Sequence, residues 1–220
     1  KRSLYLTSPW QKTLPAKKST EGEILPYELW DILKEYGKPV ALVSHTGATG
    51  MGTDWKMYEK FDYSSENIVE IFQGARVSYE GAGAPQPSVG FLPNTHLNAT
   101  GRVVNSPSAP IMDFGKHANG TYQTALSEGH NLGVFASSDH ISQHATYGGV
   151  YCKDFTREGI IEAMDNRRTI AATDKIYLNF TCNDQPLGSF LKTKGAPKFW
   201  VKVDGTSDFK RITIVRNEKD

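Results

Sequence analysis

Three short runs of this chain are apolar at consecutive positions rather than alternate ones. They are Val40-Ala41-Leu42-Val43, Ile68-Val69 with Ile71-Phe72 around Glu70, and Leu132-Gly133-Val134-Phe135-Ala136. Their length and content are those of strands buried on both faces. Other segments carry helical spacing. Pro26 suits a first helical turn, Leu29, Trp30, Ile32, Leu33 and Tyr36 form one apolar face, and Gly37 can stop the helix. Tyr122 to Glu128 reads as a second helix leading into the third strand. Thr156 can cap a third over Arg157 to Asn166, with Ile160, Ile161 and Met164 inward. Gly74 to Asn94 is rich in Gly and Pro and has no period. Irregular stretches of that length are more often functional loops than filler.

After Thr173 the pattern changes to strict alternation. Ile176, Leu178, Phe180 and Cys182 alternate with polar residues, as do Phe199, Val201 and Val203, then Ile212 and Ile214. Asn183-Asp184, Lys194-Gly195 and Asp204-Gly205 supply turns between them. This predicts a small antiparallel sheet with one wet face. The chain therefore divides into an α/β part, residues 1–172, and a β module, residues 173–220.

Composition narrows the picture only slightly. The 220 residues suffice for one substantial core, or one domain and a small module. A net charge of +1 gives no field that would draw nucleic acid or an anionic membrane, so neither is expected as a partner. The basic residues up to Lys18 read as a solvated surface segment. No apolar run reaches membrane-spanning length. Cys152 and Cys182 form no Cys-x-x-Cys and read as two buried thiols.

Polar, ligand-type residues stand at the ends of the apolar strands or within them: His45, Glu70, and Asp139-His140 with His144. Carboxylate and imidazole are costly to bury without a partner, and divalent metals are common partners for such clusters. The C-terminal ends of parallel strands bring sequence-distant residues to one site. His45, Glu70, Asp139, His140 and His144 are the candidate metal ligands, with Thr46, Asp54, Arg76 and Tyr79 as candidate substrate contacts. Gly47 to Gly52 lacks the Gly-Lys-Ser/Thr ending of a phosphate loop and reads as a flexible turn. A serine hydrolase built on Ser137 or Ser138 lacks a Gly-x-Ser-x-Gly elbow and ranks well below the metal reading.

Several motifs together resemble one known family. Ser44-His45-Thr46-Gly47-Ala48-Thr49-Gly50, Gly52-Thr53-Asp54-Trp55, Val69-Glu70-Ile71-Phe72-Gln73-Gly74, Ser78-Tyr79-Glu80, Ser137-Ser138-Asp139-His140 and Thr156-Arg157-Glu158-Gly159-Ile160 are similar to the C-terminal half of PHP-type (polymerase and histidinol phosphatase) metallohydrolases. The nearest branch is the bacterial one that includes carbaryl-hydrolase-like enzymes. The resemblance implies the C-terminal part of a distorted β/α barrel followed by a small antiparallel β module. It also implies two or three divalent metals, commonly zinc or manganese, and hydrolysis of a phosphoester, ester or carbamate bond in a small-molecule substrate. His45 matches the family's strand-end metal histidine and Asp139 the aspartate of its last motif. Where the family has Asp-x-His, this chain has Asp139-His140-Ile141, and it contains no His-x-His. With no initiator Met, the expectation is a fragment whose remaining ligands lie upstream. The alternative is a non-catalytic or vestigial binding protein. Compartment, oligomeric state and metal identity are left open by the sequence.

Overall fold

A computed structural model of the chain describes residues 2–8, 26–45, 53–58, 66–73, 76–77, 95–97, 103–105, 118–138 and 146–216. In chain order the elements begin with strand β1 (Arg2–Leu6), helix α1 (Pro26–Lys34) and strand β2 (Val40–Ser44). A 3-10 turn at Trp55–Tyr58 precedes β3 (Ile68–Gln73), the two-residue β4 (Arg76–Val77), β5 (Thr95–Leu97) and β6 (Val103–Asn105). Helix α2 (Tyr122–Ser127), β7 (Gly133–Ser137), β8 (Tyr147–Val150), α3 (Arg157–Asp165) and β9 (Thr169–Ala172) follow. The last three are β10 (Tyr177–Cys182), β11 (Gln185–Pro186) and β12 (Phe199–Asp204).

The central sheet is built on β2, β3 and β7, which run parallel. Ser44 pairs with Val69, and Ile68 with Gly133. All of β2 is buried, and its alternate residues feed two cores. Val40 and Leu42 pack with Trp30 and Leu33 of α1. On the other face, Ala41 and Val43 pack with Ile68 and with Ile161 and Met164 of α3. A third cluster joins Val69 and Leu132 to Trp55 and Ala125. Consecutive apolar residues in β2 are thus the direct consequence of helices on both faces of the sheet. The helices form where their periodic apolar residues and caps predict, ending within two residues of the expected boundaries.

The expected distorted β/α barrel is not what the chain forms. Barrel closure requires each strand to find a neighbour on both sides until the sheet meets itself. Here β1 pairs antiparallel with β2, Leu4 opposite Leu42, and takes the edge where a parallel strand would have to continue. β4 folds back antiparallel on β3, Phe72 opposite Val77. β5 with β6, β8 with β9, and β10 with β11 and β12 make three further separate sheets, all antiparallel. No sheet closes among the described residues. The chain is an open mixed sheet with small antiparallel sheets around it.

Two local readings also change. The N-terminal stretch, expected to be solvated, supplies β1, whose Leu4 and Leu6 cover the α1 core. Ile212 and Ile214, expected in a strand, lie outside regular structure and are exposed. The third strand of that sheet is the short β11 instead, paired to the other edge of β10. Cys152 and Cys182 are half-buried free thiols. No helix among the described residues is long and apolar enough to cross a membrane.

Helix α3 carries one face of the core and starts at a defined cap. Thr156 has an extended backbone, and its hydroxyl accepts the Gly159 N–H at 3.0 Å. Gly159 has no room for a side chain, since a Cβ there would sit 2.2 Å from the Asp154 carbonyl oxygen. Thr156→Ala is expected to cost about 1 kcal/mol of folding stability by removing the cap. Gly159→Ala is expected to cost more, because the backbone of the turn must shift. Urea unfolding followed by far-ultraviolet circular dichroism measures both, and a Gly159→Ala variant as stable as the parent would contradict the packing described.

Candidate functional site

The parallel register places three polar side chains on one face of the sheet, at or near the C-terminal ends of its strands. Ser44 pairs with Val69, so the next step along brings His45 alongside Glu70. Glu70 in turn pairs with Phe135, two residues before Ser137. The pairing of β3 with β7 shifts register between Glu70 and Phe72. A bulge of that kind bends a strand and re-aims its side chains.

Glu70 is only 4% exposed, and both of its oxygens are engaged. Its Oε2 lies 2.6 Å from His45 Nδ1, and its Oε1 accepts the Ser137 hydroxyl. An ionised carboxylate has no proton to give, so His45 Nδ1 carries the hydrogen and donates it. Such charge-assisted bonds are about twice as strong as neutral ones. They repay part of the desolvation that burying Glu70 demands. The pair fixes the imidazole in one tautomer and one orientation, and the chemistry of the ring falls to Nε2.

Tyr5 is a member of this region that sequence reasoning missed. On β1 it pairs with Ala41, which places it on the sheet face that carries Glu70. Burial raises its phenol above the ordinary tyrosine value, and the negative charge of Glu70 raises it further. Tyr5 therefore stays protonated at neutral pH as a hydrogen-bond donor. Only the Leu-Tyr-Leu alternation at Leu4 to Leu6 signalled a strand there, and nothing in it named Glu70 as a neighbour.

The remaining candidates are placed unevenly. Asp54 caps the 3-10 turn through Lys56 N–H at 3.1 Å and accepts from Asn119 Nδ2 at 3.2 Å, so its carboxylate serves the loop's own structure. Arg76 lies on β4, and only its backbone is described. Thr46, Tyr79, Asp139, His140 and His144 lie outside the described residues. The two ends of the segment that carries Asp139 and its histidines are held together at its base. Ser138 Oγ donates to the Thr146 carbonyl at 3.0 Å and accepts the Thr146 N–H at 3.3 Å, and Thr146 Oγ1 donates to the Ser137 carbonyl. Ser138 and Thr146 are therefore held together beside Ser137.

Two chemistries can be compared on this geometry. In a serine triad the histidine sits between nucleophile and carboxylate. Here the carboxylate sits between serine and histidine, so His45 is not placed to take a proton from Ser137. For a metal, an imidazole with a carboxylate behind its second nitrogen is the usual form of a histidine ligand. His45 fits that form, whereas Glu70 fits the orienting role. Among the described residues no group of three His, Cys, Asp or Glu is arranged to hold a metal ion.

Removing the charge of Glu70 tests the electrostatics. Glu70→Gln is expected to lower the ionisation midpoint of Tyr5, leaving it above the ordinary value because burial remains. The raised value also has a stability consequence. Below the unfolded-state tyrosine pKa the phenol is protonated in both states, and stability falls as pH rises through the folded-state value. Carbon-13 tyrosine NMR, with Tyr5→Phe to assign the signal, reads the midpoint. An unmoved midpoint would show that Glu70 does not act on Tyr5.

The chain is similar to three chlamydial proteins described as uncharacterised. It is 27% identical to one from Chlamydia trachomatis over 188 residues and 26% identical to one from Chlamydia muridarum over 187 residues. The protein from Chlamydia pneumoniae is 24% identical over 192 residues. Each match covers 81% of this chain and 28% of the relative, so the chain spans little more than a quarter of their length. No family model matches the chain, and no solved structure matches it significantly.

Proposed function

We propose that this chain supplies part of the active site of a metal-dependent hydrolase that uses water to cleave an ester, carbamate or phosphoester bond in a small molecule. The observation that carries this reading is the 2.6 Å contact between Glu70, inside β3, and Nδ1 of His45, just past the C-terminal end of β2. It leaves the imidazole oriented by a carboxylate, as a ligand histidine is. Asp139, His140 and His144 are the proposed further ligands, on a segment anchored beside Ser137. A zinc or manganese ion bound there would lower the pKa of a bound water and stabilise developing negative charge. Thr46, Arg76 and Tyr79 are proposed to face the substrate, and the protonated Tyr5 offers a donor on the same side of the sheet. Hydrolysis at such a centre asks for donors fixed by rigid strand ends and does not require a barrel.

A non-catalytic binding protein is the second reading. It is favoured by the large exposed side chains on the C-terminal sheet and its tail, including Phe199, Trp200, Ile212 and Ile214. Surfaces of that kind more often meet a partner than solvent alone.

The two readings separate on metal binding and activity in the intact protein. Glu70→Gln is expected to weaken zinc or manganese affinity about 10- to 100-fold, as loss of a ligand's supporting carboxylate does. His45→Ala is expected to abolish binding at this site. Hydrolysis of p-nitrophenyl acetate, 1-naphthyl methylcarbamate or bis-p-nitrophenyl phosphate should fall with both variants and with chelator. Metal binding by calorimetry that is unchanged in His45→Ala would overturn the hydrolase reading.

A further inference from the structure

The β10–β12 pair has two unlike faces. Its register sets Leu178 opposite Val203, Phe180 opposite Val201 and Cys182 opposite Phe199 on one side. That side is apolar, and Leu178 and Phe180 line a cleft with Val134 of β7. On the other side Tyr177 stands opposite Asp204, Asn179 opposite Lys202 and Thr181 opposite Trp200. Trp200 is 53% exposed and Tyr177 45% exposed, so a ligand can reach both rings. Tyr151 braces the Tyr177 ring edge-on, with centroids 6.2 Å apart, and its own hydroxyl donates to the Leu178 carbonyl. Lys202 and Asp204 form an ion pair at 3.0 Å, which leaves the six side chains of this face without net charge. Asn179 and Thr181 are partly buried, and their side chains hydrogen-bond to no other described residue.

We infer that this face binds a neutral oligosaccharide, with sugar rings stacked on Trp200 and Tyr177 and hydroxyls on Asn179, Thr181 and the Lys202–Asp204 pair. A sugar ring presents C–H bonds on its faces and hydroxyls at its rim. The C–H faces suit the negative face of an aromatic ring. The hydroxyls both donate and accept, as the Asn179 amide and the Thr181 hydroxyl do. Trp200 lies four residues from Asp204, the partner of Tyr177, so the two platforms stand about 14 Å apart along the strands. That spacing asks for a ligand of several linked rings. Charge decides against other ligands that stack on aromatic surfaces. The one cation of the face is already matched by Asp204, so a nucleic acid strand or an anionic lipid gains little attraction there. Both rings sit on paired strands before the ligand arrives, which lowers the ordering cost of binding. The inference rests on the binding reading of this sheet, to which it gives a ligand class, and is independent of His45 and Glu70.

Calorimetric titration of the intact protein with cellohexaose, xylohexaose, maltohexaose and N-acetylchitohexaose, each beside its disaccharide, tests the inference. At least one hexasaccharide is expected to bind about tenfold or more tightly than its disaccharide, which is too short to cover both rings. Trp200→Thr and Tyr177→Thr each remove one platform and keep a good strand former. Each is expected to weaken the hexasaccharide about tenfold while melting temperature and zinc or manganese binding stay level. No saturable binding of any hexasaccharide at millimolar concentration, equal affinity for hexasaccharide and disaccharide, or unchanged affinity in both variants would each overturn the inference. Binding of polyuridylate or phosphatidylglycerol vesicles that is lost in Trp200→Thr, with no sugar bound, would also overturn it and would leave the binding reading of the sheet standing.

Discussion

The arrangement of the central sheet turns on one buried carboxylate. Glu70 sits inside a strand whose neighbours are apolar, where an isolated charge would be strongly disfavoured. It is held because its two oxygens meet donors from the two flanking parallel strands, Nδ1 of His45 just beyond β2 and Oγ of Ser137 at the end of β7. The same contacts tie the ends of β2 and β7 to the middle of β3. Slipping β2 or β7 by one residue would turn every side chain to the opposite face and leave the carboxylate without its donors. Register and site geometry are therefore one constraint.

The rest of the architecture follows from what covers each face. Alternate residues of β2 divide between the α1 core and the α3 core, and Thr156 fixes where α3 starts. Antiparallel β1 closes the β2 edge and brings Tyr5 to the site face. The antiparallel β8–β9 pair is fitted against β7 at Gly148, where a Cβ would clash with the Phe135 ring. An open sheet held in this way still gathers strand ends at one edge, which is the property a convergent site needs.

The elements that depend on local pattern were legible in the chain. Pro26 and Gly37 bracketed α1, Thr156 marked the start of α3, and the apolar runs located β2, β3 and β7. Glu70 stood out because a carboxylate in a buried strand demands a partner. The identity of that partner was not legible, since His45 and Ser137 are joined to it only through parallel pairing across long connections. The low-ranked nucleophile reading of Ser137 or Ser138 names no partner for Ser137, whose hydroxyl donates to Glu70. Strand β1 escaped because its neighbouring lysines and prolines resemble a surface segment, and its partner lies more than thirty residues away. Sheet closure is likewise a non-local property: the motifs that suggested a barrel describe strand ends and not what sits at the sheet's edges.

The order of the three side chains limits what the site can do. With the carboxylate between them, serine and histidine each give a hydrogen bond to Glu70 and none passes between them through it. Both Glu70 oxygens already accept a hydrogen bond and the residue is only 4% exposed, which makes it a poor general base. Its role is to hold a tautomer and an orientation. A carboxylate on Nδ1 orients metal-ligating and acid–base histidines alike.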